Sequence, residues 1–325
     1  MDESFVTEQL PMEAPETPQR ATPAAPIPAS RPDSSLPPVI ISESMIADPD
    51  YSPLDIYAAS GAASPVVISC PHAGRSYPGS MLTQAAQPLE ELRGLEDFGV
   101  DCLISELATS GLPTVINRVA RAYLDVNRAE SAIDAAMFSG AVEAPPPCHH
   151  VRAGYGLIPK LTSSRKPIYE RRLPATEIAA RTEFVHRPYH DALARLLEAA
   201  QQRHGRSLLV DMHSMPAFDR LNNRLPDIIC GDGYGGTLDR ETANALTGFL
   251  QHCGLSVSWN HPYAGGFITR SNGDARGTRQ SVQIEINRAV YMDGAARLDQ
   301  ARTATLRRHI GALGRFLADT MREAA

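Results

Sequence analysis

His72 and His213 are the first residues in this chain that could do chemistry together. Each follows an almost wholly apolar run, in VVISCPH and LLVDMHS, and each has small or turn-forming neighbours. A single histidine after a strand is ordinarily a capped or surface side chain. Two in the same setting, with carboxylates nearby, favour a metal. A catalytic zinc takes three ligands from His, Asp or Glu and leaves a fourth position for water. The third ligand has to come from another element, and GLEDFGVD offers Glu96, Asp97 and Asp101. On a helix Asp97 and Asp101 share a face that Glu96 does not. The competing reading of these three is a solvated helix face. Asp211, two residues before His213 on the same strand face, is placed to accept a hydrogen bond from a ligating imidazole.

Glu285 stands inside the apolar run SVQIEINRAV. A carboxylate there is unfavourable unless it is paired or functional. An ion pair with Arg288 competes with a role as general base, and beside a zinc the base is favoured. Arg118, Arg121, Asn127 and Arg128 crowd eleven residues, a concentration suited to carboxylate binding. Surface ion pairing is the alternative, most of all for Arg118. The segments YLDVNRAE and QIEINRAV share one pattern, an acidic residue, an aliphatic one and Asn-Arg-Ala, and read as two strand ends facing one site. His149 and His150, adjacent in sequence, read as loop surface. His186 and His190 are spaced i, i+4 but lack the intervening Glu of a metalloprotease motif, so they read as helix surface or as facing substrate.

The elements that must position these side chains are legible as apolar runs alternating with amphipathic stretches. PVVISC, LPTVINR, RAYLDVNR, RSLLVDM, PDIICG, LSVSW and RQSVQIEINRA read as strands. Helices are expected over Leu89–Gly111, over about Ile168 to His204 with breaks near Pro174 and Pro188, over TLDRETANALTGFLQHCG, and over Asp293–Glu323. Nearly continuous apolar strands separated by helices predict an α/β fold, a mixed and mostly parallel central sheet with helices on both faces. Chemistry then gathers where strands end. Other polar residues at such ends are Asp227, Asp232 and His261.

Residues 1–45, rich in Pro, Ala, Ser and Glu, lack apolar periodicity and read as a disordered tail, leaving residues 46–325 as a single domain. The formal charge of −6 gives no electrostatic reason to expect nucleic acid or an anionic membrane. No apolar run reaches the roughly 18 residues of a membrane span, and no basic-then-apolar leader opens the sequence, so a cytoplasmic protein is expected. Five cysteines without a CxxC pair argue against a disulfide framework or a thiolate zinc site. Cys70, beside Pro71-His72, reads as a small buried hydrophobe rather than a nucleophile. Oligomeric state is not legible.

PVVISCPHAGRSYP, GLEDFGVD, RAYLDVNRAESAID, IYERRLP, RPYHDALARLL, LLVDMHSMP, DIICGDGYG, HPYAGGFITR and QIEINRAVYMD resemble, in order and content, the N-formylglutamate amidohydrolase family. That family is similar in turn to the zinc carboxypeptidase and aspartoacylase group. The resemblance spans about Pro65 to Asp293. It implies hydrolysis of N-formyl-L-glutamate to formate and glutamate, a late step of histidine breakdown, with one zinc ion. Carried onto this chain, it makes His72, Asp97 and His213 the ligands and Glu285 the base. Asn127-Arg128 then hold the α-carboxylate, Arg121 or Arg118 assists, and Arg270 is a candidate for the side-chain carboxylate. The wider group places its carboxylate ligand three residues after the first His, where this chain has Arg75, so the ligand must come from later. A hydrolase of another N-acyl amino acid, or a metal-free binding protein on the same fold, are the rival expectations.

Overall fold

A computed structural model describes residues 36–48, 50–58, 64–294 and 296–323. Its strands are β1 (Val39–Ile41), β2 (Leu54–Tyr57), β3 (Val66–Cys70), β4 (Ser76–Pro78), β5 (Thr114–Asn117), β6 (Phe138–Ser139), β7 (Leu173–Pro174), β8 (Ser207–Met215), β9 (Ile228–Gly231), β10 (Val257–Trp259) and β11 (Arg279–Asn287). Seven of them form one sheet in the order β10-β9-β11-β8-β3-β5-β2. The pairs β10/β9, β11/β8, β8/β3 and β3/β5 are parallel, and only β9/β11 and β5/β2 are antiparallel. This is the expected mixed, mostly parallel sheet.

Period-two alternation divides the strand residues between two faces. Val66, Ile68, Leu208, Val210, Met212, Val282, Ile284 and Ile286 face one way, in a core with Leu246 and Leu250 of the helix Arg240–His252 and with the C-terminal helix Gln300–Glu323. That last helix buries Leu306, Ile310, Leu313, Leu317 and Met321 at three- and four-residue spacing. Val67 and Leu209 face the other way, toward Tyr189, Leu193 and Leu197 of the helix Arg187–His204. Each fully buried leucine contributes roughly 1.5–3 kcal/mol, so both faces are firmly held. The same alternation puts Ser69, Asp211, His213, Gln283 and Glu285 on the second face. Register sets Asp211 beside Gln283 and His213 beside Glu285. No helix among the described residues is long and apolar enough to cross a membrane.

Several expected elements differ. Leu89–Gly111 is not one helix but short pieces, Leu89–Leu92, Arg93–Leu95, Val100–Leu103 and Ser105–Thr109. Gly99, at φ 75°, interrupts them, and residues 96–99 are not helical. Asp97 therefore lies in the gap, and the helical face shared with Asp101 does not exist. The segment RAYLDVNR is a series of turns, not a strand, because its backbone groups bond to side chains and a loop instead of a neighbouring ladder. The expected helix from Ile168 is Thr176–Arg181, a π-turn over Thr182–His186, and Arg187–His204. The C-terminal helix begins at Gln300 rather than Asp293.

Of the expected tail, residues 1–35 lie outside the described residues, but its end is built into the fold. β1 pairs in parallel with β4, Ile41 is wholly buried, and Glu43–Ile46 form a short helix capped by Ser42. One aliphatic residue with a pocket and one free strand edge suffice to order three residues in a segment whose composition argues otherwise.

Candidate metal centre

The chain leaves β3 at Cys70 and turns through Pro71 to His72. The backbone N–H of Asp97 donates to the His72 carbonyl at 2.9 Å, which ties the loop after β3 to the gap in the helical segment. His213 comes in from β8. As a result Asp97 Oδ2 lies 2.9 Å from His213 Nδ1 and 3.4 Å from His72 Nδ1. The three residues are buried, with their donor atoms all within 4.8 Å of one another.

The outer imidazole nitrogens face carboxylates. His72 Nε2 is 2.7 Å from Asp125 Oδ1, and His213 Nε2 is 3.0 Å from Asp211 Oδ2. An ionised carboxylate only accepts, so it draws the proton to Nε2 and leaves the Nδ1 lone pair pointing inward. His72 Nδ1 is buried with no hydrogen-bond partner, and its near neighbour is an Asp97 oxygen. A lone pair aimed at a buried carboxylate is repulsive unless a cation lies between them. Ligands roughly 2.0–2.1 Å from a tetrahedral zinc stand roughly 3.3 Å apart, close to the 2.9 and 3.4 Å that separate Asp97 Oδ2 from the two imidazoles. The donor set fits a divalent metal.

The charges around the centre support each other. Burial alone would raise the Asp97 carboxyl, but His213 and His72 hold it far below the ordinary range. Burial likewise works against the Asp125 anion, yet Arg121, Arg128 and His72 keep it well below that range. Arg121 reaches Asp125 Oδ2 through Nε at 3.0 Å and Nη2 at 2.9 Å. Arg288 donates through Nη2 to the Glu96 carbonyl at 2.6 Å, lies 3.7 Å from Asp97 Oδ1 and bonds Ser214 through Nε. It steadies the carboxylate of Asp97, not Glu285. Asn287 bonds the carbonyls of Leu225 and Pro226 and caps the turn Arg288–Val290.

Glu285 is oriented by Gln283, whose Nε2 donates to Glu285 Oε1 at 2.8 Å while its Oε1 accepts from the Gly266 N–H at 2.7 Å. Burial raises the Glu285 carboxyl to about 7; His213 opposes the rise and Asp97 adds to it. Tyr263 is also close enough to feel the centre: burial, then Glu285 and Asp97, push its phenol to about 12, so it remains a donor.

The other candidates are placed as follows. Glu96 is engaged by Arg93 at 3.0 Å and Tyr77 at 2.7 Å, and Asp101 by Arg75 at 2.8 Å and Arg118 at 3.1 Å. Arg118 is paired with both Asp101 and Asp55. Asn127 is fixed through its Oδ1, which accepts from the Ile268 N–H at 2.8 Å. A side chain on Gly266 would collide with it, so that glycine permits the approach. Arg128 donates through Nε to the Tyr155 carbonyl and through Nη1 to the Asn127 carbonyl. Burial, Arg128, His149 and Arg270 together push His150 down to about 4, so its ring is neutral and the positive charge of this rim is that of Arg128 and Arg270. Cys70 is a core residue whose thiol burial drives far upward. Asp227 bonds Ser256, and Asp232 bonds Gly235 and Asn260.

Residues 64–292 match the model of the N-formylglutamate amidohydrolase family. The chain belongs to that family. Curated relatives are the N-formylglutamate deformylases of Pseudomonas putida, 29% identical over 70% of this chain and 82% of the relative, and of Pseudomonas aeruginosa, 30% identical over 71% and 84%. The solved N-formylglutamate amidohydrolase of Ralstonia eutropha JMP134 is similar at 32% identity and a TM-score of 0.78, over 84% of this chain and all of that one.

Asp125, Gln283 and Tyr263 escaped the sequence reading. Asp125 lies between buried Leu124 and Val126, the same signal that marked Glu285, and Gln283 is two residues before Glu285 on its strand face. Tyr263 had no comparable signal.

Proposed function

We propose that this protein hydrolyses N-formyl-L-glutamate to formate and glutamate, with one zinc ion held by His72, Asp97 and His213. The observation that carries the metal is the unpartnered, buried Nδ1 of His72 turned toward Asp97, with its outer nitrogen fixed by Asp125. A zinc ion bound there supplies a Lewis acid that acidifies water and polarises a carbonyl. Glu285, poised near neutrality, takes a proton from the attacking water, whose oxygen bonds to the formyl carbon. Arg121, which faces Glu285 and Asp97, stabilises the negative charge that collects on the formyl oxygen. As the C–N bond breaks, Glu285 delivers its proton to the departing amine. Gln283 occupies Oε1, which directs the transfer through Oε2.

Arg128 and Arg270 at the rim suit a substrate with two carboxylates, and Asn127 acts by fixing the loop rather than by touching substrate. The reaction belongs late in histidine breakdown. Metal analysis of the purified protein, paired with formate release from N-formylglutamate, tests the reading. One zinc per chain and loss of activity in Glu285→Gln are expected. Protein that takes up no metal and leaves N-formylglutamate intact overturns it. A panel of N-acetyl amino acids tests the acyl group.

A further inference from the structure

We infer that the first turn of the helix Arg187–His204, with the π-turn before it, is a positioning element that holds both outer carboxylates of the metal centre. The inference rests on the metal reading above and concerns residues that touch neither metal nor substrate.

The contacts form two lines. On one, Ser69 Oγ donates to Asp211 Oδ1 at 2.7 Å, so its own lone pair accepts from the Tyr189 hydroxyl, also 2.7 Å away. Asp211 in turn holds His213 Nε2. Tyr189 is wholly buried. On the other, His190 Nε2 lies 2.8 Å from the Val126 carbonyl and His186 Nε2 lies 2.8 Å from the Arg128 carbonyl. A carbonyl only accepts, so both rings donate from Nε2. The two bonds clamp the backbone on either side of Asn127, directly after Asp125, which holds His72 Nε2. The imidazole centroids are 4.3 Å apart, and Phe267 packs against both rings.

This arrangement answers a question left by the turns of RAYLDVNR, which have no neighbouring strand. Two of their carbonyls are satisfied by histidines. On a helix residues 186, 189 and 190, spaced three and four apart, share one broad face, which lets this turn present all three side chains to the site. The π-turn over Thr182–His186, in which the Arg187 N–H bonds the Thr182 carbonyl, inserts extra backbone where the helix meets the site. Such π-turns recur at functional sites because they re-aim side chains. Burial and His186 push His190 down to about 4, so its ring stays a neutral donor.

The test uses the full chain and four proteins: wild type, Tyr189→Phe, His190→Leu and His190→Gln, the last retaining a donor. Zinc affinity is measured by competition with a chromophoric chelator, and backbone amide exchange is followed over residues 124–130. Second-layer partners of a metal ligand are worth 10–100-fold in affinity, and these residues act one contact further out. His190→Leu is expected to weaken zinc binding about tenfold, and Tyr189→Phe about three- to tenfold, on that scale. Amide exchange at 124–130 should quicken in His190→Leu, and His190→Gln should restore both measurements. Wild-type affinity and exchange in His190→Leu, or a His190→Gln as impaired as His190→Leu, overturns the inference. Should His190→Leu fail to fold, Tyr189→Phe decides it, since it deletes one oxygen; unchanged zinc affinity there overturns the inference. A wild type that binds no zinc defeats the metal reading instead, and the exchange measurement still judges the clamp.

Discussion

Glu285→Gln should make the metal-free protein more stable above neutral pH and leave it nearly unchanged in mild acid. Burial lifts this carboxyl from 4.5 to about 7 in the fold. Between those values the folded state binds a proton that the unfolded state has released, so stability falls as pH rises through the interval. Above pH 7 the fold carries an ionised, buried carboxylate. At 1.36 kcal/mol per pH unit the full displacement corresponds to roughly 3 kcal/mol, with the opposing pull of His213 and Arg121 already contained in it. The amide is nearly the shape of the protonated acid, and its oxygen can still accept from Gln283. Urea denaturation of chelator-treated wild type and variant at pH 5 and pH 8 provides the assay. The variant should gain up to about 3 kcal/mol at pH 8 and little at pH 5. An advantage equal at both pH values, or a wild type more stable at pH 8, would refute the argument that Glu285 is held near neutrality by burial. The same residue sets the acid limb of activity: kcat/KM should fall as pH drops and Glu285 takes up its proton, in a limb at or below about 7.

Two further substitutions separate the roles around the centre. Asp125→Asn removes the anion that fixes the His72 tautomer and should weaken zinc binding by about 10–100-fold, read by chelator competition; undiminished affinity would place the orientation of His72 elsewhere. Arg270→Ala should raise KM for N-formylglutamate about 10–100-fold, as expected for a charged hydrogen bond worth about 1.5–3 kcal/mol, with kcat little changed. A matching fall in kcat would instead implicate Arg270 in the chemical step.

The sheet was legible because its strands are almost continuously apolar, as in Val66–Cys70 and Ser207–Met215, and a strand buried on both faces has that signature. The same signature misled at RAYLDVNR, which is equally buried but bonds to side chains. Apolar content reports burial, not hydrogen-bond partners. Over Leu89–Gly111 the apolar spacing was helical, yet Gly99 in a left-handed conformation divides the segment and frees Asp97 to turn inward. His72 and His213 were visible as residue types at strand ends and Asp97 as one of three carboxylates on an expected helix, although it reaches its place by a different backbone. What sequence could not supply was the assignment of partners. Arg118, Arg121, Arg128 and Arg288 look alike on the page. Only their distances show Arg118 paired with Asp55 and Asp101, Arg121 with Asp125, and Arg288 beside Asp97.

The short strand β1 has a reach out of proportion to its length. Its Val39 N–H donates to the Arg75 carbonyl, three residues beyond His72, and the Leu36 carbonyl accepts from Arg93, whose guanidinium also grips Glu96 beside Asp97. Residues 36–41 thus hold the loop that carries His72 and, through Arg93 and Glu96, the segment that carries Asp97. A displacement of these residues therefore reaches His72 and Asp97 through very few bonds.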